Sequence, residues 1–246
     1  MIPNLEMQVN KTNVGLYTVT YGYKEAPLNE QEAAFAVNNL DIVSPPQFGF
    51  LRAKEGKGTF KPDSRTNADV FYDDRADTIV VVPDGAISKL VGTANLVDAH
   101  RQGIEYIIPK NQRDLAYAMV DEMLKNSIAF IVPHWLTAVQ TSEFGKSDLT
   151  SRLFSDKRLG IEAQEYGDWL QTQPKANQFG NMNELPFSFD AKDYAISQEG
   201  PYLKRLSLLL PGLGYAVVGD SMRLGGSDGA FGVRFEKTAE GGAKKL

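Results

Sequence analysis

The chain contains no cysteine, only two histidines and only two tryptophans in 246 residues. Without cysteine, disulfide frameworks, thiolate zinc sites, iron–sulfur ligation and thiol nucleophiles are all excluded. With only His100 and His134, a histidine metal site would need carboxylates to complete it. No run of 18 apolar residues is present. The N-terminus (Met1-Ile2-Pro3-Asn4) shows neither the charged nor the apolar region of a signal peptide. The expected compartment is therefore the cytoplasm (the host cytoplasm for a viral chain), with no membrane partner.

What is present is ordinary for a globular protein: 42% hydrophobic and 23% charged residues. A chain of this length buries about 70–75% of its unfolded surface, enough for a core without covalent staples. One domain over 1–246 is expected, with a core at 14–171 and a long loop or arm at 172–200. A C-terminal β segment at 201–236 and a flexible tail at 237–246 follow. The net charge of −5 is unevenly spread. Residues 45–67 carry five basic groups against two acidic ones, and residues 201–246 carry seven against four. An acidic body with two basic segments suits a protein that touches a polyanion over a restricted surface.

Residues 14–23 alternate with period two, placing Tyr17, Val19, Tyr21 and Tyr23 on one strand face. Asn29 with Glu32 has capping-box spacing and opens a helix through Leu40. Ser44-Pro45-Pro46 closes that unit, and 47–61 reads as two short strands around Gly56-Lys57-Gly58. Thr78–Val82 is a β-branched run of the kind buried on both faces. Helical periods at 86–101 and after Asn111 separate it from strands at 104–108 and 128–132. The fold class is thus mixed α/β (α+β), with a central βαβαβ segment, locally parallel, and additional N- and C-terminal β-strands. Further helices are expected at 133–143, 147–155 and 160–171, and strands at 203–210, 214–219 and 230–236. Phe179, Leu185, Phe187 and Phe189 fall in the aperiodic arm, and rings exposed on a loop call for a partner surface, so a homo-oligomer is expected.

Motifs for chemistry are sparse. Val217-Val218-Gly219-Asp220-Ser221 resembles the nucleophile turn of lipase-like hydrolases over three residues, but Arg223 breaks the elbow and no histidine lies downstream. Gly56-Lys57-Gly58-Thr59 lacks phosphate-loop spacing, and Pro83-Asp84-Gly85 is no dinucleotide fingerprint. Asp73, Asp74 and Asp77 could hold magnesium, although Arg75 among them favours loop or capping roles. His100 reads as a helix-dipole partner and His134 as a first-turn residue. No catalytic residue, metal or cofactor is assigned, and the chain is read as a non-enzyme.

The most specific pattern is the interleaving of rings and cations in Phe48, Phe50, Arg52, Lys54, Lys57, Phe60, Lys61 and Arg65 within 18 residues. A second set comprises Tyr202, Lys204, Arg205, Arg223, Phe231, Arg234 and Phe235. Cations that follow phosphates and rings that stack on unpaired bases suit single-stranded nucleic acid. The expected function is therefore sequence-tolerant binding of single-stranded DNA (or RNA). A viral, phage-like origin and a partner in replication or transcription machinery would fit. The alternatives are a viral structural or assembly protein and an α/β enzyme acting on a small molecule.

Overall fold

The computed structural model describes residues 5–55, 58–60, 62–102, 106–132, 135–173, 183–189, 200–208, 217–219 and 229–238. The chain opens with β1 (Val9–Val14), β2 (Tyr17–Glu25), α1 (Leu28–Val37), β3 (Asp41–Ile42) and α2 (Pro45–Glu55). Next come β4 (Ser64–Asp73), β5 (Thr78–Val82), α3 (Ala86–Val91), α4 (Thr93–Arg101), β6 (Tyr106–Ile107) and α5 (Lys110–Lys125). The remainder is β7 (Phe130–Val132), β8 (Trp135–Gln140), α6 (Asp148–Phe154), α7 (Ala163–Gln171), β9 (Glu184–Phe189), β10 (Tyr202–Leu208), β11 (Val217–Gly219) and β12 (Gly229–Lys237). The fold class is α+β, as the sequence implies. Among the described residues no helix is long and apolar enough to cross a membrane.

One continuous sheet runs in the order β1-β2-β12-β4-β10-β11-β9-β8. β5 branches from β4, β7 from β5, β6 from β10 and β3 from β12. The last strand lies inside this order: β12 pairs with β2 over nine residue pairs, from Gly229 opposite Glu25 to Lys237 opposite Tyr17. Strand alternation distributes side chains into two cores. Ile79 and Val81 join Ala68, Val70, Phe48 and Phe231 on one face. Val80 and Val82 join Phe71, Ile87, Val97 and Leu203 on the other. β5 is buried on both faces, as its β-branched run implies, because helices cover both sides. The expected parallel pairing does not form, since β7 is antiparallel to β5 and β6 pairs with β10 instead.

Four local expectations are corrected. Residues 45–55 are helical, and Ser44-Pro45-Pro46-Gln47 starts that helix where the sequence reading ended a unit. The Ser44 amide donates to Gln47 Oε1 (3.0 Å) and the Gln47 amide to Ser44 Oγ (3.4 Å), a reciprocal capping box with proline in the first turn. The Asn29–Glu32 box does not form: α1 has no side-chain cap, and Glu32 turns to Arg205 and Thr93. Residues 135–140 form a strand, not a helix, because they meet β9 from Trp135 opposite Phe189 to Gln140 opposite Glu184. That same pairing removes 184–189 from the expected arm. Leu185, Phe187 and Phe189 are fully buried, so their partner surface is the chain's own core, while Phe179 lies outside the described residues.

A buried ion pair ties these elements together. Arg205 on β10 sits 3.1 Å from Asp69 on β4 and 2.9 Å from Glu32 on α1, and donates to Asn67 O at 3.1 Å. Asp69 accepts from the amides of Ile87 (3.0 Å) and Ser88 (2.9 Å) and from the Ser88 hydroxyl, so a strand residue caps the start of α3. Burial pushes the Asp69 carboxyl upward, opposed by Arg205 and then by the hydrogen bonds from Ser88 and Ile87. Gly85, at φ +59°, lies where a Cβ would stand 2.5 Å from the Arg205 guanidinium, so no other residue fits there without displacing the pair. Beside it β4 bulges: Asp69 faces Arg205, yet Arg65 faces Ser207. The Thr66 hydroxyl donates to Leu206 O within that bulge (2.9 Å).

Truncating Arg205 to alanine leaves the Asp69 carboxyl buried without its cation. The expected loss is about 3–5 kcal/mol of unfolding free energy in urea denaturation. Ser44→Ala, which removes only a cap, should cost about 1 kcal/mol in the same measurement. Equal costs for the two substitutions would show that the buried pair is not the stronger constraint.

Candidate ligand-binding cleft

The aromatic and basic residues singled out in the sequence are brought together, but inside the protein. Phe48, Phe50, Arg52, Phe60, Arg65, Lys204 and Arg205 are all buried. Phe60 packs against Tyr21 and Phe231, each with ring centres 5.0 Å away, and Phe48 against Phe231 at 5.6 Å. Arg52 lies over the Phe48 ring and donates to Phe60 O (3.0 Å), Pro62 O (3.1 Å) and the Tyr166 hydroxyl (3.2 Å). Arg65 donates to Ala26 O and Gln31 Oε1, both at 2.9 Å. Lys204 lies over the Tyr202 ring. Lys54 is exposed and pairs with Glu165 at 2.7 Å, and Arg234 pairs with Glu236 at 2.9 Å. Lys57, Lys61 and Arg223 lie outside the described residues, as do Asp220, Ser221 and His134 and the His100 side chain. Interleaving of rings and cations here marks buried arginines satisfied by backbone carbonyls. Tyr17, Tyr21 and Tyr23 likewise pack on the core.

The aspartates before β5 are also engaged. Arg75 pairs with Asp73 (2.7 Å) and Asp121 (2.8 Å) and lies 3.9 Å over the Tyr117 ring. Tyr117 donates to Asp74, and Tyr72 donates to Asp77 at 2.8 Å. Among the described residues no group of three metal-ligating side chains could hold a metal ion.

A different feature has the form of a site. α3 ends at Gly92, whose φ of +85° turns the chain, and α4 begins one residue later. Leu96 and Val97 face the core, which leaves Asn95, Asp98, Ala99 and Gln102 on the adjoining face at helical spacing. That face forms one wall of a cleft of about 510 Å³. Tyr106 and Ile107 of β6, with Pro109, Asn111 and Gln112 at the start of α5, complete its lining. Four carboxamides and one carboxylate thus converge, and the carboxylate, Asp98, is exposed, with Arg101 3.6 Å away. Gln112 Oε1 is buried and has no hydrogen-bond partner among the described residues. Pro109 precedes α5 and no side chain caps its first amides. Burial pushes the Tyr106 hydroxyl above its ordinary value. The volume lies within the range of small-ligand sites. Sequence reasoning missed all of these residues, because exposed amides on a helix look like a solvated face.

No family model matches the sequence, and no curated protein does. Among solved structures, a Nanoarchaeota protein described as accommodating massive sequence variation by the C-type lectin fold superposes with a TM-score of 0.50. Identity is 11%, over 91% of this chain and 99% of that one. The likeness is one of fold. Together with the burial of the rings and cations, it overturns the expectation of single-stranded nucleic-acid binding. It lends nothing to a viral origin, either for a nucleic-acid binder or for a particle component.

The tyrosine–aspartate contacts at the β4–β5 turn set an alkaline limit. Tyr72 is pushed up to about 12, first by burial and then by the hydrogen bond and charge of Asp77. Its folded value lies above its unfolded value near 10, so the protonated hydroxyl supports the fold fully below pH 10. That support disappears as the pH rises through about 12. Absorbance titration at the tyrosinate band should show Tyr72 ionising late, and Asp77→Asn should bring it earlier. An unchanged titration in that variant would refute the assignment.

Proposed function

We propose that the protein is a non-catalytic binding protein that takes an uncharged or weakly cationic polar ligand in the cleft between α4 and α5. The observation that carries this reading is the convergence of four carboxamides, those of Asn95, Gln102, Asn111 and Gln112, on one cleft. Carboxamides both donate and accept but have no useful acidity near neutral pH, so the cleft suits recognition more than proton transfer. The likeness in fold supports the same reading. The Nanoarchaeota protein is described as accommodating massive sequence variation by its fold, and a frame that tolerates such variation is suited to carrying a binding site.

The test is a titration of the labelled protein with a panel of uncharged peptides and neutral oligosaccharides, read at the Asn and Gln side-chain amide signals. Shifts confined to Asn95, Gln102, Asn111 and Gln112, with every compound recovered unaltered by mass spectrometry, are expected. A chemically altered compound would overturn the non-catalytic reading. A panel that leaves all four amides unmoved would overturn the cleft.

A further inference from the structure

Resting on that reading of the cleft, we infer that its ligand is an extended peptide segment that docks along the open edge of β6 and carries a basic side chain opposite Asp98. β6 pairs only with β10 among the described residues, with Ile107 opposite Tyr202 and Tyr106 opposite Leu203. Among the described residues its other edge has no strand beside it, and its two residues line the cleft. An extended chain satisfies such an edge by adding a strand, using main-chain hydrogen bonds that no other common ligand class repeats at strand spacing.

The walls fit the same ligand. A carboxamide presents one donor and one acceptor side by side, the complement of a single peptide unit. Asn95 on α4 and Gln102, the residue just past its end, are seven residues apart, about 10.5 Å at a rise of 1.5 Å per residue. About three extended residues span that distance. The uncapped first amides of α5 offer donors to a peptide carbonyl, and Ala99, Ile107 and Pro109 offer small apolar contacts between the polar groups. The charge of the ligand follows from the lining. Asp98 is the one ionised group among the described lining residues, and the whole chain is acidic at −5, so a cationic side chain is attracted and an anionic one repelled. Arg101 stands 3.6 Å from Asp98 and competes for it, which keeps the contribution of this pairing small.

The probes are acetyl-Ala-Lys-Ala-amide, acetyl-Ala-Glu-Ala-amide, the lysine peptide N-methylated at its central amide, and maltotriose. Binding is read by calorimetry and by the side-chain amide signals of the intact protein. The lysine peptide should bind about two- to fivefold more tightly than the glutamate peptide. Asp98→Asn, at an exposed position, should abolish that preference. Central N-methylation should weaken binding at least about fivefold, because it removes an edge hydrogen bond. If maltotriose shifts the cleft amides and no peptide does, the peptide inference fails while the cleft stands. If no probe moves them, the cleft reading itself fails. If the lysine peptide binds but the Asp98→Asn protein discriminates as before, or N-methylation has no effect, the proposed docking geometry is wrong.

Discussion

The pairing of Arg205 with Asp69 is the constraint on which the arrangement of the sheet depends. Its two ends lie on neighbouring central strands, and its branches reach α1 through Glu32 and the start of α3 through Ser88 and Ile87. Burying two charges is costly unless each finds several partners. The demand for partners fixes what surrounds them: a glycine at 85 to admit the guanidinium, a bulge in β4 to aim Asn67 O, and a helix start placed to give Asp69 two amides. The polar group thereby adds to the register that the buried apolar faces already impose.

The same economy explains the basic and aromatic interleaving around α2. Arg52 is buried under the Phe48 ring and holds the carbonyls of Phe60 and Pro62, so it anchors the returning chain to the helix it has just left. Arginine suits that role because its planar fork donates in several directions and is weakly hydrated for a cation. Composition cannot separate such an arginine from one waiting for a phosphate. Only the closure of β12 over Phe48 and Phe60, from the far end of the chain, decides the matter.

Legibility followed the range of the interaction. The strand at 78–82 and the helices α5, α6 and α7 were readable because periodicity within one segment reports burial of that segment. The βαβαβ succession was also readable in order, but not in pairing: β6 and β7 chose different partners, and no local pattern encodes that choice. β8 and β9 escape a local reading together, since β8 is a strand through its pairing with β9, and β9 through its pairing with β8 and β11. Ser44-Pro45-Pro46-Gln47 held a readable signal, a serine with glutamine three residues on, that two prolines disguised as a stop. The cleft left no trace in sequence, because Asn95, Gln102, Asn111 and Gln112 come from two helices whose polar faces look alike until they are set opposite each other.

The central position of β12 bears on how the protein is made. β2 emerges second among the strands and acquires β1 at once, yet its other edge is filled by residues 229–237. Until those residues emerge the hairpin therefore offers Tyr17, Val19, Tyr21 and Tyr23 beside an open row of main-chain groups, with the ring that covers Phe48 and Phe60 still to come. An unpaired edge lined with tyrosines is the feature that draws neighbouring chains into contact. The sheet is thus closed by a strand made long after its partner, and a nascent chain keeps that edge open to its neighbours on the polysome until residues 229–237 have emerged.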